Sequence, residues 1–180
     1  MLEIKDATFA VATDRKMRNL SFVANNGEVT AITGRSGSGK TRLLAAMLGF
    51  FPLDSGFVTV NGELLVPATA NFFRSKIAYV PQALRLPSRF TASDMYKQLV
   101  TCCGVKGNVP TKEQIEALWN TLHLNADLWV ADLAKQPLSV LKRLMLVFAS
   151  LSCGNIIVVD DPTARQTDEH VHVLLRPLRA

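Results

Sequence analysis

Apolar and polar positions alternate over Leu2-Glu-Ile-Lys-Asp-Ala-Thr-Phe9, the period of a strand with one buried face. Leu20-Ser-Phe-Val23 reads as a second strand, closed by the turn Asn25-Asn26-Gly27. Glu28-Val-Thr-Ala-Ile-Thr33 is rich in β-branched residues and predicts a third, buried strand. The period then changes: between Arg42 and Phe51, Leu43, Leu44, Met47 and Leu48 recur at helical spacing. A turn at Asp54-Ser55-Gly56, a short strand carrying Val58 and Val60 on one face, and an Asn61-Gly62 turn make a hairpin unit. Ile77-Ala-Tyr-Val80 is a further short strand that stops at Pro81-Gln82.

From about Ala83 to Lys135 the chain carries no strand signal and predicts a helical insert. Helical periodicity runs from Thr91 to Cys103 and from Lys112 to Leu122, with the break at Asn108-Val-Pro110 and with Thr111 and Glu113 at the second start. Ser139 to Leu151 is a third apolar helix. It leads into Ile156-Ile-Val-Val-Asp160-Asp161-Pro162-Thr163, four aliphatic residues ending in two carboxylates. Such a fully apolar strand belongs inside a parallel sheet, and the carboxyl edge of an open α/β sheet is where ligands lie. Asp168 to Leu178 predicts a last short helix, and there is no internal repeat or low-complexity tract.

The chemistry is concentrated in Gly34-Arg35-Ser36-Gly37-Ser38-Gly39-Lys40-Thr41, a G-x-x-x-x-G-K-T stretch between the predicted third strand and the first apolar helix. Glycines let backbone N–H groups converge on an anion, the new helix presents its N-terminus, and Lys40 adds a full charge. Thr41 is placed to put its hydroxyl on Mg²⁺. A plain Gly/Ser turn with a solvated lysine is the competing reading, and the flanking strand and helix weigh against it. Asp160 is expected at the same sheet edge, where a hard cation shares carboxylate and phosphate oxygens. Asp161 is next in line to orient or deprotonate an attacking water. The plain alternative for this pair is a turn or helix cap.

Composition narrows the partners. At 180 residues, 48% hydrophobic and 19% charged, the chain suits one globular domain that leans apolar. The net charge of +5 is scattered, densest at Arg15, Lys16 and Arg18, and reads as a solvated face with some attraction to phosphate. No basic run with interleaved aromatics suggests a nucleic-acid groove. The N-terminus lacks the blocks of a signal peptide, and no apolar stretch approaches the ~18 residues that cross a bilayer, so the expected location is the cytosol. Cys102, Cys103 and Cys153 lack metal-ligand spacing and are expected to be reduced.

Four stretches together, namely the glycine loop, Ser55-Gly56-x-Val58-x-x-Asn61-Gly62, Tyr79-Val-Pro-Gln82 and Ile156 to Thr163, resemble the ATP-binding cassette family in order and rough spacing. Over about residues 2 to 175 the resemblance implies a P-loop NTPase of α/β class. Its RecA-like core, about 1–82 and 139–180, carries an antiparallel β subdomain and a helical insert at about 83–138. It implies Mg²⁺-dependent ATP hydrolysis by two domains closing head to tail on two ATP molecules. The partners implied are an integral membrane transporter subunit and a second cassette, with the chain on the inner face of the membrane. Residue by residue, Gly34, Arg35, Ser36, Gly37, Ser38, Gly39, Lys40 and Thr41 would bind the phosphates. Thr41, Asp160 and Gln82 would hold Mg²⁺, and Lys40, Gln82 and Asp161 would serve catalysis. Arg85 and Arg89 fall where such domains meet their membrane subunit.

The chain also departs from the family. Asp161 stands where a glutamate is usual, about one methylene shorter in reach. The Leu-Ser-Gly-Gly-Gln signature is replaced by Gln136-Pro-Leu-Ser-Val140, and in either of two registers its glycines are missing. The adenine-stacking aromatic falls near Val11, with Phe9 close by. Ala164-Arg-Gln-Thr167 replaces Ser-Ala-Leu-Asp, and the switch histidine would lie beyond Ala180. His170 and His172 come too early for it, and these two with His123 read as solvent or core histidines. The expected function is therefore the ATP-hydrolysing subunit of a transporter; the alternative is a catalytically weak nucleotide-binding module that pairs with a competent subunit.

Overall fold

The computed structural model describes residues 1–104, 109–154 and 156–163. The chain divides into two compact units, one from Met1 to Ile77 and one from Ala78 onward.

The first unit opens with β1 (Leu2–Ala12) and β2 (Arg15–Ala24), an antiparallel hairpin registered from Leu2 opposite Ala24 to Ala12 opposite Arg15. Then come α1 (Lys40–Met47), β3 (Ser55–Val60), β4 (Glu63–Leu64) and the short α2 (Ala70–Arg74). The strands form one sheet in the order β2-β1-β3-β4. Both outer hairpins come from local signals, but β1 and β2 run further than the alternation of residues 2–9 and 20–23 predicts. The extra ladder is backbone pairing, which polar residues such as Arg15 and Lys16 support as well as apolar ones do.

A register shift lies between Ile4 and Ala7 on β1. It lets Leu2, Ile4, Ala7 and Phe9 all face the core although their spacing breaks period two. Asp6 takes a left-handed conformation there, and its N–H donates to Ser21 Oγ at 2.8 Å. Gly56 of β3 crosses the same point. A Cβ on it would collide with the carbonyl oxygens of Lys5 and Asp6, so only glycine fits. The Asn61-Gly62 turn, both residues at positive φ, then folds β4 back on β3 as predicted.

Two predictions fail in this unit: Ser55 and Gly56, read as part of a turn, already belong to β3, where Ser55 pairs with Thr8 of β1, and the third strand is missing. Residues 28–33 form no strand, and Val29 is 49% exposed. A β-branched run becomes a strand only where a neighbouring backbone offers a ladder, and β-propensity measures that fit more than any intrinsic preference.

The second unit contains β5 (Ile77–Val80, beginning at the boundary), α3 (Ala92–Gly104), α4 (Lys112–Thr121), α5 (Leu138–Ser150) and β6 (Ile156–Val159). Two 3-10 turns, Ala126–Trp129 and Leu133–Lys135, sit between α4 and α5. Among the described residues no strand lies between β5 and β6, as the periodicity predicts. The start of α4 is a capping box in which Thr111 exchanges hydrogen bonds with Gln114, one residue beyond the glutamate that the sequence suggested.

Helix α5 is the centre of this core, with Leu141, Leu144, Leu146, Val147 and Phe148 buried. Leu99 and Cys103 of α3, Ile115 and Trp119 of α4, and Leu133 belong to the same cluster. A helix apolar nearly all round is stable only when enclosed in this way. The pair β5-β6 forms a two-stranded sheet. Of β6 only Val158 is fully buried, so the strand is half-buried and not the sheet interior that four consecutive aliphatics predict. Asn108 at the predicted break and the predicted helix from Asp168 to Leu178 lie outside the described residues.

Candidate functional site

The glycine loop lies in the first unit. Gly37 and Gly39 take positive φ of 71° and 101°, and the Ser38 N–H donates to the Arg35 carbonyl at 3.1 Å. Gly39 caps α1 without any side-chain hydrogen bond, and the first turn of α1 carries no acidic residue. The first N–H groups of that helix are thus left for an external anion. Lys40 folds back over the loop, its Nζ donating to the carbonyls of Gly34 at 2.8 Å and Arg35 at 3.0 Å. The loop is pressed against β1: a Cβ on Gly39 would come within 2.7 Å of Val11 Cγ2.

This packing bears on the expected base contact. Val11 faces Gly39, and Phe9 is fully buried with its ring 6.2 Å from that of Phe51. Phe9 is a core residue and offers no surface to a base. Arg15, at the start of β2, reaches the loop from the same hairpin and donates from Nη2 to the Gly37 carbonyl. Its neighbour Lys16 pairs with Asp54 at 2.7 Å.

The carboxylates lie in the second unit, at the end of β6. The Asp160 N–H continues the ladder by donating to the Val80 carbonyl at 2.9 Å. The side chain of Asp160 is buried at 4% exposure, and among the described residues its Oδ2 has no hydrogen-bond partner. A buried carboxylate oxygen without a donor is the environment that a hard cation satisfies, so this residue fits Mg²⁺. Among the described residues no group of three or more His, Cys, Asp or Glu stands where it could hold a metal alone. Asp161 is exposed and left-handed, with φ of 50°. Gln82 Nε2 donates to Asp161 Oδ2 at 3.3 Å, so the structure joins these two sequence-predicted residues.

Lys142 is a member of this site that motif reading missed. Its side chain is fully buried, and its Nζ donates to the backbone carbonyl of Asp160 at 3.0 Å and to that of Asp161. Burial pushes the Lys142 ammonium below its ordinary pKa, while the Asp161 and Asp160 charges act in the opposite direction. The signal was present: Lys142 and Arg143 are the only charges in the apolar run of α5. Arg143 serves α4 instead, donating to the carbonyls of Leu122 at 3.0 Å and His123 at 3.2 Å. Burial of the Tyr79 phenol raises its pKa, and the Asp160 charge adds to the effect.

The altered signature stretch is also visible. Pro137 is the N-cap residue of α5, with no side-chain cap, and Leu138, Ser139 and Val140 form its first turn. Arg85 and Arg89 are exposed, and the Arg89 N–H donates to Asp132 Oδ1 at 3.0 Å. Cys102, Cys103 and Cys153 are thiols. No helix among the described residues is long and apolar enough to cross a membrane. Residues 164–167, His170 and His172 lie outside the described residues.

A glycine loop seated on the start of an apolar helix, in a chain that also carries an antiparallel sheet and a helical layer, defines a P-loop NTPase of mixed α/β architecture. A family model described as ABC transporter matches residues 17–164. The chain belongs to the ABC transporter family, as the order of its motifs implies. It is 32% identical over 166 residues to the Nod factor export ATP-binding protein I of Sinorhizobium fredii, covering 89% of this chain and 46% of that protein. It is 28% identical over 184 residues to the ribose import ATP-binding protein RbsA of Shouchella clausii, covering 99% of this chain and 37% of that protein. The chain thus spans under half the length of these curated relatives. The fold matches a solved ATP-binding subunit of an ABC transporter with a TM-score of 0.81 at 21% identity, over 99% of this chain and 73% of that one. It matches a dimeric bacterial ABC transporter cassette with a TM-score of 0.79 at 19% identity, over 99% and 81%.

Proposed function

We propose that this chain is the ATP-binding, ATP-hydrolysing part of an ABC transporter, coupling nucleotide turnover to movement of a solute by an integral membrane partner. The observation that carries the reading is the start of α1, capped by a left-handed Gly39 with open N–H groups and with the Lys40 ammonium folded over the loop. The names of the relatives, one an export and one an import ATP-binding protein, favour this over a weak nucleotide-binding module. They leave the solute and its direction open.

In this reading Gly34 to Thr41 take the phosphates of ATP, with Lys40 countering their charge. Thr41, Asp160 and Gln82 would hold Mg²⁺, which would neutralise charge building on the phosphate oxygens. Asp161 carries the attacking water: its carboxylate accepts a hydrogen bond and then a proton from that water as the water oxygen bonds to the γ-phosphorus and the bond from that phosphorus to the β-γ bridging oxygen breaks, releasing ADP and inorganic phosphate. Gln82, by donating to Asp161 Oδ2, fixes the direction in which that carboxylate faces. The division into a core at about 1–82 and 139–180 and a helical insert at about 83–138 belongs to the same proposal. So do a second cassette as dimer partner and Arg85 and Arg89 as contacts to the membrane subunit on its cytoplasmic face.

The test is steady-state ATPase activity and calorimetric MgATP binding, with and without the membrane partner, for wild type and Lys40→Ala. Turnover and uptake that both vanish with Lys40 are expected. Absence of Lys40-dependent MgATP uptake refutes the reading. Tight uptake without turnover under either condition refutes the hydrolytic part alone.

A further inference from the structure

We propose that Arg15 is a second phosphate-contacting cation of the glycine loop, and that it makes triphosphate binding indifferent to the base. This rests on the phosphate role of residues 34–41 and adds to it a residue from outside the loop. The β1-β2 hairpin turns at Thr13-Asp14 and delivers Arg15 to the loop, where Nη2 donates to the Gly37 carbonyl. One N–H of five is committed there. Arg15 is exposed, and among the described residues the rest of its guanidinium has no protein partner. Of the neighbouring cations, Lys16 is neutralised by Asp54. Arg42 donates to the Ala10 carbonyl at 3.1 Å and lies over the Phe51 ring. Arg15 thus reaches the loop from the hairpin with most of its donors uncommitted among the described residues.

The chemistry fits phosphate. A planar fork with several unused donors matches phosphate oxygens in two-point geometry, which an ammonium cannot do. Gly37 is open on its outer side, since a Cβ there would meet nothing within 4 Å, so an anion over the loop meets no steric barrier at that residue. The residues at the expected base-stacking position offer no ring in compensation: Phe9 is fully buried, and Val11, packed on Gly39, has none. Affinity from this side of the loop therefore comes from charge, which every nucleoside triphosphate shares.

Calorimetry of the full chain with MgATP, MgGTP and magnesium tripolyphosphate tests this on wild type, Arg15→Ala and Arg15→Gln. The glutamine variant keeps a donor for the Gly37 carbonyl and loses the charge. Wild type is expected to bind ATP and GTP with similar affinity. Both variants should lose roughly tenfold for all three probes alike, the size of one charge-assisted hydrogen bond. ATP affinity that falls while tripolyphosphate affinity holds would make Arg15 a base-stacking residue and overturn the proposal. Full retention in Arg15→Gln would make it only a brace for Gly37, and unchanged affinity in both variants would also overturn it. Wild type that binds none of the three probes would overturn the phosphate role of the loop and this inference with it, an outcome separate from any failure confined to the variants.

Discussion

Replacing Lys142 with methionine tests how α5 holds the end of β6. The side chain is fully buried, and its ammonium donates to the carbonyl of Asp160 at 3.0 Å and to that of Asp161. Methionine has nearly the same length and volume, so no cavity opens and the packing term stays small. What is lost is the donor. The Asp160 carbonyl is enclosed and takes the full penalty of a buried unsatisfied acceptor, about 1–3 kcal/mol, whereas the Asp161 carbonyl is nearer solvent and regains water. Removing an ammonium that burial disfavours offsets part of this. The net expectation is a loss of about 1–3 kcal/mol, read as a lower urea midpoint at unchanged slope. The functional effect should be larger than the stability effect. Asp161 sits at φ of 50°, a conformation that costs an ordinary residue roughly 1–2 kcal/mol, and the Lys142 contact is one of the bonds that hold it there. Freed of it, Asp161 relaxes and its carboxylate leaves Gln82. Turnover should fall at least tenfold while MgATP binding, which rests on Lys40, changes little. Lys142→Arg should not preserve turnover either, because a planar fork is too large for the enclosed space. A stable Lys142→Met protein with wild-type turnover would refute the reasoning.

Two further predictions separate causes in the same sites. Gly39→Ala places a Cβ 2.7 Å from Val11 Cγ2 at φ of 101° and should abolish triphosphate binding, whereas Gly37→Ala meets open space and suffers only the cost of its φ. Calorimetry of both variants checks the order, and equal losses would show that backbone conformation alone matters. The Tyr79 phenol, raised by burial and by the Asp160 charge, keeps its proton in the folded chain at a pH where the unfolded chain has lost it. That contribution is complete below the ordinary tyrosine value of about 10 and is lost as pH rises through the folded value. Urea midpoints between about pH 8 and 11 should fall more steeply for wild type than for Tyr79→Phe, and parallel curves would contradict the assignment.

Much was legible in the chain because it is local. Gly34 to Thr41, the Asn61-Gly62 turn and the cap at Thr111 depend on residues within a few positions of each other, and the helical period of residues 43–48 needs no partner to be read. The paired aspartates could be placed at a strand end for the same reason. The strand expected at 28–33 was not legible, because pairing depends on a neighbour that composition does not name. The bulge at Asp6 and the glycine that crosses it were hidden too, since Gly56 lies far along the chain and its necessity comes from the carbonyls of Lys5 and Asp6. Tertiary structure alone decided that Phe9 is core, that Arg15 reaches the glycine loop, and that Lys142 holds the aspartate carbonyls. Each of these is a contact between residues distant in sequence. A residue type sets what a side chain can donate or fill, but folding sets what it meets.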